Sequence, residues 1–282
     1  MTTLLLLALL ACGGVGLALL SRGEGRVARI GSPLLFGALV LGAWQLACVG
    51  YHVPGVLLPP PSAVAAAFAR SLPTLRADFT QTVLRAVLPG YAIGCGAGLL
   101  AAVALDRSEF LRRGVLPFGS LVSAMPVVGI APIMVMWFGF DWQSKAAVVV
   151  LMTFFPMLVN ATAGLAAAGA MERDLMRGYG AGYWATLLKL RLPAALPFVF
   201  TALKLNSTLA LIGAIVAEFF GTPIVGMGFR ISTEVSRMNL DVVWAEIAVA
   251  AVAGSLAFAL LSLAERAVTF WHPSFRGSGR NR

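Results

Sequence analysis

Glu218 is the side chain best placed to do chemistry in this sequence, because it closes the apolar run Ala210-Leu-Ile-Gly-Ala-Ile-Val-Ala-Glu218. An ionised group at membrane depth is costly and turns toward a bundle interior or an aqueous cavity. It reads as the only acidic residue clearly inside a late apolar run. Its place near the outer end of that run leaves three roles open: a gate or structural hydrogen-bonding group, an interfacial carboxylate, or a direct contact for a solute. Other reactive types are poorly arranged. His52 and His272 are far apart, and Cys12, Cys48 and Cys95 show neither metal-ligand nor disulfide spacing. G-x-x-x-x-G-K-[ST], H-E-x-x-H and G-x-S-x-G motifs are missing, as are paired intramembrane carboxylates. The sequence therefore predicts no catalytic residue, no cofactor and no metal ligand in this chain, which is read as no enzyme.

A second stretch points to mechanical work. Residues 171–197 read MERDLMRGYGAGYWATLLKLRLPAALP. Leu175, Met176, Tyr179, Tyr183, Trp184, Leu187 and Leu188 recur at spacings of three and four, interrupted by Gly178, Gly180 and Gly182. Two short helices joined at a glycine bend would carry that stripe. It serves either another protein surface or the inner face of the protein's own membrane domain, and the pattern alone does not choose between them.

The elements that must hold these residues are membrane helices. Of 282 residues, 59% are hydrophobic and 12% charged, against roughly a quarter charged in ordinary soluble domains. Apolar runs fall near 2–20, 31–50, 82–105, 114–138, 145–168, 199–220 and 242–266. About 20 residues of helix cross the hydrocarbon layer, and backbone polar groups there must be satisfied within the segment. The first run lacks the basic n-region and the A-x-A site of a signal peptide, which favours an additional N-terminal helix.

Basic residues set the orientation. Arg22, Arg26 and Arg29, then Arg107, Arg112 and Arg113, then Arg173, Arg177, Lys189 and Arg191, then Arg266, Arg276, Arg280 and Arg282 mark one side. Loops with Arg70 and Arg76, with Lys145, and with Arg230 and Arg237 are poorer and mark the other. The richer set belongs in the cytoplasm, with the C-terminus and segment 171–198. The net charge of +9 is this topology signal; the basic residues form no patch interleaved with exposed aromatics, so nucleic acid is not an expected partner.

Several breakers and small residues refine the runs. Pro54, Pro59, Pro60 and Pro61 preclude one continuous helix at the start of 51–81, and Val64, Phe68 and Leu72 predict a short amphipathic helix after them. Pro117, Pro126 and Pro132 break the 114–138 run, an irregularity tolerated where protein buries it or a water-filled path is lined by it. Pro126 and Pro132 are thus pathway candidates together with Glu218. Gly94 and Gly98 form a G-x-x-x-G read as internal helix packing. Gly226 and Gly228 read as an external turn, and Trp271-His272-Pro273 as an interface anchor.

The 171–198 stretch also resembles the cytoplasmic signature of ABC importer permeases: E-A-A, three residues, G, nine residues, I, one residue, L-P. Gly180 matches the glycine, Leu190 stands for the isoleucine, and Leu192-Pro193 match the closing pair. Asp174 holds the acidic position, while Leu175 and Met176 replace the alanines. Leu58-Pro-Pro-Pro-Ser62, Ala131-Pro-Ile-Met-Val-Met-Trp-Phe-Gly139, Phe154-Phe-Pro156 and the run ending at Glu218 resemble the nitrate, sulfonate, taurine and thiamine-precursor branch. The resemblance covers about residues 31–272.

It implies an all-α, type I importer transmembrane domain over 31–272 with six core helices; the additional N-terminal helix is read from its apolar run and is not a general feature of that branch. Residues 1–30 form a hydrophobic extension with a basic loop, and 273–282 a cytoplasmic tail. Asp174, Leu175, Met176, Gly180, Leu190, Leu192 and Pro193 would then be the coupling positions that dock on an ATP-binding cassette subunit. Gly180 allows the bend, and Pro193 is expected to end the helix before the next span. The partners implied are that ATPase, which holds the ATP and magnesium, an extracytoplasmic solute-binding protein, a second permease copy and membrane lipid in the bacterial inner membrane. Scarce mid-span basic residues favour a thiamine-pyrimidine precursor or riboflavin-like heterocycle over sulfonate, taurine or nitrate. A secondary transporter or a membrane-embedded enzyme would need intramembrane groups that the sequence does not display.

Overall fold

The computed structural model describes residues 2–270 except 22, 24, 109, 111–113, 116, 118, 120, 123, 124, 222 and 223. Among these, every regular element is a helix. Six are long and apolar enough to cross a membrane: Thr2–Leu20, Ile30–Gly50, Leu72–Leu105, Trp142–Ala166, Tyr183–Glu218 and Leu240–Val268. A shorter apolar helix, Val127–Phe138, completes the set. Their outward residues, among them Leu84, Leu88, Ile93, Leu100, Leu205 and Leu260, are large, apolar and exposed. That surface is unsustainable in water and natural against lipid.

Two compact units make up the chain. Met1–Leu75 with Ile231–Ala248 form one; Arg76–Arg230 with Val249–Arg282 form the other. In the first, the 2–21 helix lies along 26–50, and the Thr2 hydroxyl donates to the Gly50 carbonyl (3.3 Å). Gln45 exchanges two hydrogen bonds with Ser62, and the Trp44 and Trp244 rings sit 4.9 Å apart. The amphipathic helix appears at Pro61–Arg70 with proline at its start, but it buries Ala67 and leaves Phe68 exposed.

The second unit is built on three helices: 72–105, 142–166 and 183–218. Gly90, Gly94 and Gly98 form the seam between the first two. A β-carbon would come within 2.7 Å of the Ala146 carbonyl at Gly90, 2.9 Å of Val150 at Gly94 and 2.5 Å of Phe154 at Gly98. The backbones approach so closely that only hydrogen fits. Cys95, Ala102, Met157, Leu158, Leu187, Ala195 and Ala202 fill the core beside that seam.

Two proline expectations are corrected. Pro193 does not end a helix: helical backbone runs unbroken over Tyr183–Glu218, and the 72–105 helix likewise continues through Pro89. In both places a π-helical stretch comes just before the proline, at Thr80–Val87 and Leu187–Arg191. A proline ring clashes with the carbonyl four residues back in an α-helix; the wider π turn relieves that clash. The third and sixth spans therefore start about ten or more residues earlier than their hydrophobicity indicates. Pro132 does not break its helix either, whereas Pro126 does: it is extended (φ −68°, ψ 122°) and Val127–Phe138 begins directly after it. That 12-residue helix is too short to span alone. The interface anchor 271–273, the tail 273–282, and Arg22, Arg112, Arg113, Arg276, Arg280 and Arg282 lie outside the described residues.

Candidate functional site

The inner segment folds as two short helices around one glycine. Ala170–Gly178 is capped by Glu172, whose carboxylate accepts from the Gly169 N–H (2.7 Å). Gly180 then takes φ +70°, a left-handed turn that side-chain-bearing residues resist. Its N–H reaches the Arg177 carbonyl, and helix resumes at Tyr183.

The stripe read from sequence divides in two. Leu175, Tyr179, Trp184 and Leu188 are exposed, joined by Met171, which is 85% exposed. Leu187 is instead buried in the core, and Tyr183 packs against that core. The Tyr183 and Leu187 part of the stripe thus packs on the protein's own membrane domain, and the rest is uncovered in the chain. Among the coupling positions, Asp174, Leu175 and Gly180 are exposed, with Asp174 paired to Arg177 at 3.1 Å. Met176, Leu190, Leu192 and Pro193 are half-buried.

The base of this segment is anchored by Arg191, which in the sequence counts only as topology signal, and by Asp106, which no sequence motif marks. Arg191 forms a bidentate pair with Asp106, both contacts at 2.6 Å, with side chains 14% and 4% exposed. Its Nε also donates to the Leu165 carbonyl at 2.9 Å, and the Tyr183 hydroxyl donates to Asp106 at 3.0 Å. One guanidinium thereby joins the ends of all three core helices. Planar fork geometry suits Arg to this and Lys less so. Arg107 lies over the Tyr183 and Trp184 rings, 5.1 and 5.7 Å from their centroids.

Glu218 stands at the opposite end of the 183–218 helix and is 2% exposed. Its two oxygens accept from the Thr82 hydroxyl (2.8 Å) and the Gly228 N–H (2.7 Å). It is not the only late acidic residue inside an apolar run, as the sequence reading held: Glu246 and Glu265 are buried in the 240–268 helix. Glu265 pairs with Lys204 at 2.7 Å. Lys145, assigned by sequence to a loop, is 1% exposed in the 142–166 helix and donates to the Phe140 (2.6 Å) and Gly221 carbonyls. Basic groups within the spans are thus less scarce than the sequence reading held; each of these two is neutralised or satisfied by hydrogen bonds.

An apolar cavity of about 80 Å³ is lined by Met125, Val127, Ile130, Val148, Met152 and Leu209 among others, none of them charged; Pro126 itself is not part of that lining, although both its chain neighbours are. Pro132 is exposed on the face of its helix. The structure does not bring Pro126 and Glu218 together as lining of that cavity.

Helices of membrane-crossing length define a multi-pass membrane protein, and one exposed helix pair in it is anchored at its base. Residues 94–270 match the family described as binding-protein-dependent transport system inner membrane component. The chain belongs to that family. It is 32% identical over 78% of its length to a probable ABC transporter permease protein of Haemophilus influenzae, covering 89% of that protein. It is 29% identical to the formylaminopyrimidine transport permease protein ThiX of Halalkalibacterium halodurans, over 85% of this chain and 95% of that one. A putative aliphatic sulfonates transport permease protein, SsuC of Bacillus subtilis, is 28% identical over 86% and 88%. The chain is therefore a multi-pass inner-membrane permease and not a catalytic subunit. Systems of this family join such a permease to an ATPase and a solute-binding protein.

Proposed function

We propose that this chain lines the translocation pathway of an ATP-driven importer, working as a pair of identical copies, and that residues 171–198 dock on its ATPase. The exposed apolar helix pair at Gly180, held at its base by the Asp106–Arg191 pair, is the observation that carries this reading. Docking that transmits force needs apolar contact on a rigid mount rather than reactive groups, and both are present. Asp174, Leu175 and Gly180 form the contact; Met176, Leu190, Leu192 and Pro193 form the mount.

The solute proposed is a small heterocycle of the thiamine-pyrimidine or riboflavin kind. The uncharged lining of the cavity at Met125 and Val127 supports it over a sulfonate, taurine or nitrate, whose charge would ask for a cation or a set of N–H donors there. The ThiX relative points the same way and the sulfonate relative the other. Cysteines at Met171 and in the ATPase groove should cross-link in native membranes; absence of any cross-link along 171–188 would overturn the docking role. Binding of a pyrimidine by the partner binding protein, with none of a sulfonate, tests the solute.

A further inference from the structure

Helix Met227–Ser236 starts at a cap built from side chains of other helices. Its first N–H groups need acceptors from outside the helix. Three consecutive ones find them on three different side chains. Gly226 N–H donates to Asp78 (2.7 Å), Met227 N–H to the Thr82 hydroxyl (2.9 Å), and Gly228 N–H to Glu218 (2.7 Å). The Thr82 hydroxyl passes its own proton toward Glu218, so the acceptors form one connected network. Arg230 Nε closes it on the second oxygen of Asp78 at 2.9 Å.

Asp78 and Thr82 are fully buried and Glu218 nearly so, which denies these groups water as a substitute. The approach is close. A β-carbon at Gly226, where φ is +143°, would lie 2.7 Å from Glu218 Oε1. Asp78 and Thr82 belong to the 72–105 helix and Glu218 ends the 183–218 helix. The same two helices are joined at their other ends by Asp106, Arg191 and Tyr183. Between the ends, the Tyr91 hydroxyl donates to the Leu203 carbonyl and Asn206 to Cys95. From Asp78 to Asp106 this pair is roughly 40 Å long at about 1.5 Å per residue.

We propose that Asp78, Thr82 and Glu218 are positioning residues that make the start of helix 227–236 one rigid body with the two clamped helices, so that displacement of the inner 171–198 segment moves the capped turn 226–230 at their other end. This rests on the docking role proposed above. A side-chain cap of this kind transmits motion because its buried bonds cannot exchange one at a time with solvent. Glu218 is then a structural tie for signal transfer rather than a solute ligand.

The test uses the chain with its ATPase in native membrane vesicles, with Ile224→Cys, an exposed position two residues before the capped Gly226, as a reporter and Cys12→Ser to lower background. Labelling of position 224 by a membrane-impermeant maleimide is timed with and without vanadate-trapped ATP. The unaltered cap should change the labelling rate about fivefold or more between the two states, the lower end of ordinary allosteric coupling. Thr82→Val keeps the shape and removes both hydroxyl bonds; it should abolish that change while chain level and ATP hydrolysis persist, and Thr82→Ser should restore it. A Thr82→Val protein responding like its parent overturns the proposal, as does a parent that does not respond. Failure of the Met171 cross-link to the ATPase would instead refute the docking role itself.

Discussion

Replacing Asp106 by Asn removes the anchor of the inner segment with almost no change of shape. Asp106 accepts two 2.6 Å bonds from Arg191 and one from Tyr183, in a pair that is only 14% and 4% exposed. Asn offers one acceptor and places an NH2 against a guanidinium N–H, so one contact becomes a clash of donors. Taking one partner from a buried ion pair costs about 3–5 kcal/mol. The Nε bond from Arg191 to Leu165 survives, which places the loss at the lower end, about 3 kcal/mol. At about 1.4 kcal/mol per tenfold, this shifts the anchored-to-released ratio by about a hundredfold. Under the docking proposed above, solute carried per ATP hydrolysed should fall by about tenfold or more, because Met171 and Leu175 stay exposed for the ATPase while the mount behind them is loosened. Uptake in cells, set beside ATP hydrolysis by the purified complex, measures it. The exchange Asp106→Arg with Arg191→Asp should recover part of the coupling. An Asp106→Asn protein with full uptake per ATP would refute the anchor argument.

Other substitutions probe separate parts of the account. Gly180→Val forces a β-branched residue into φ +70° at a cost of about 1–2 kcal/mol; it should abolish uptake while the membrane fraction holds a normal amount of chain. Leu175→Asp places a charge on an exposed apolar contact, so melting temperature should hold and recovery of the ATPase with the permease should drop. Gly94→Val drives a side chain into the Val150 backbone and should lower the melting temperature in detergent, with overpacking worth about 1–3 kcal/mol or more. Gly96→Ala, two residues along and facing open space, should leave it unchanged.

Much of this architecture is visible in the sequence because lipid imposes a simple demand: long apolar helices. Gly94 and Gly98 show as a seam for the same reason, and Gly180 marks the turn it makes. Charged residues were harder to read. Asp106 meets Arg191 across 85 residues and Asp78 meets Gly226 across 148, and no local pattern announces such pairings. Lys145 resembles a loop lysine because hydropathy averages cannot distinguish a charge in water from one satisfied by two carbonyls. The helix starts at Leu72 and Tyr183 were hidden by polar residues that face protein, and by prolines tolerated after π turns. Leu187 joined the exposed stripe by spacing alone, since periodicity fixes a face but not what covers it.

The central claim is that this permease is driven by an ATPase docked on residues 171–198. Its most direct measurement is purification of the tagged chain from its own cells in mild detergent, with co-purifying subunits identified by mass. The account predicts a P-loop ATPase in the preparation, present with the native chain and lost with Leu175→Asp. Recovery of the permease alone, even after cross-linking in intact membranes, would contradict it.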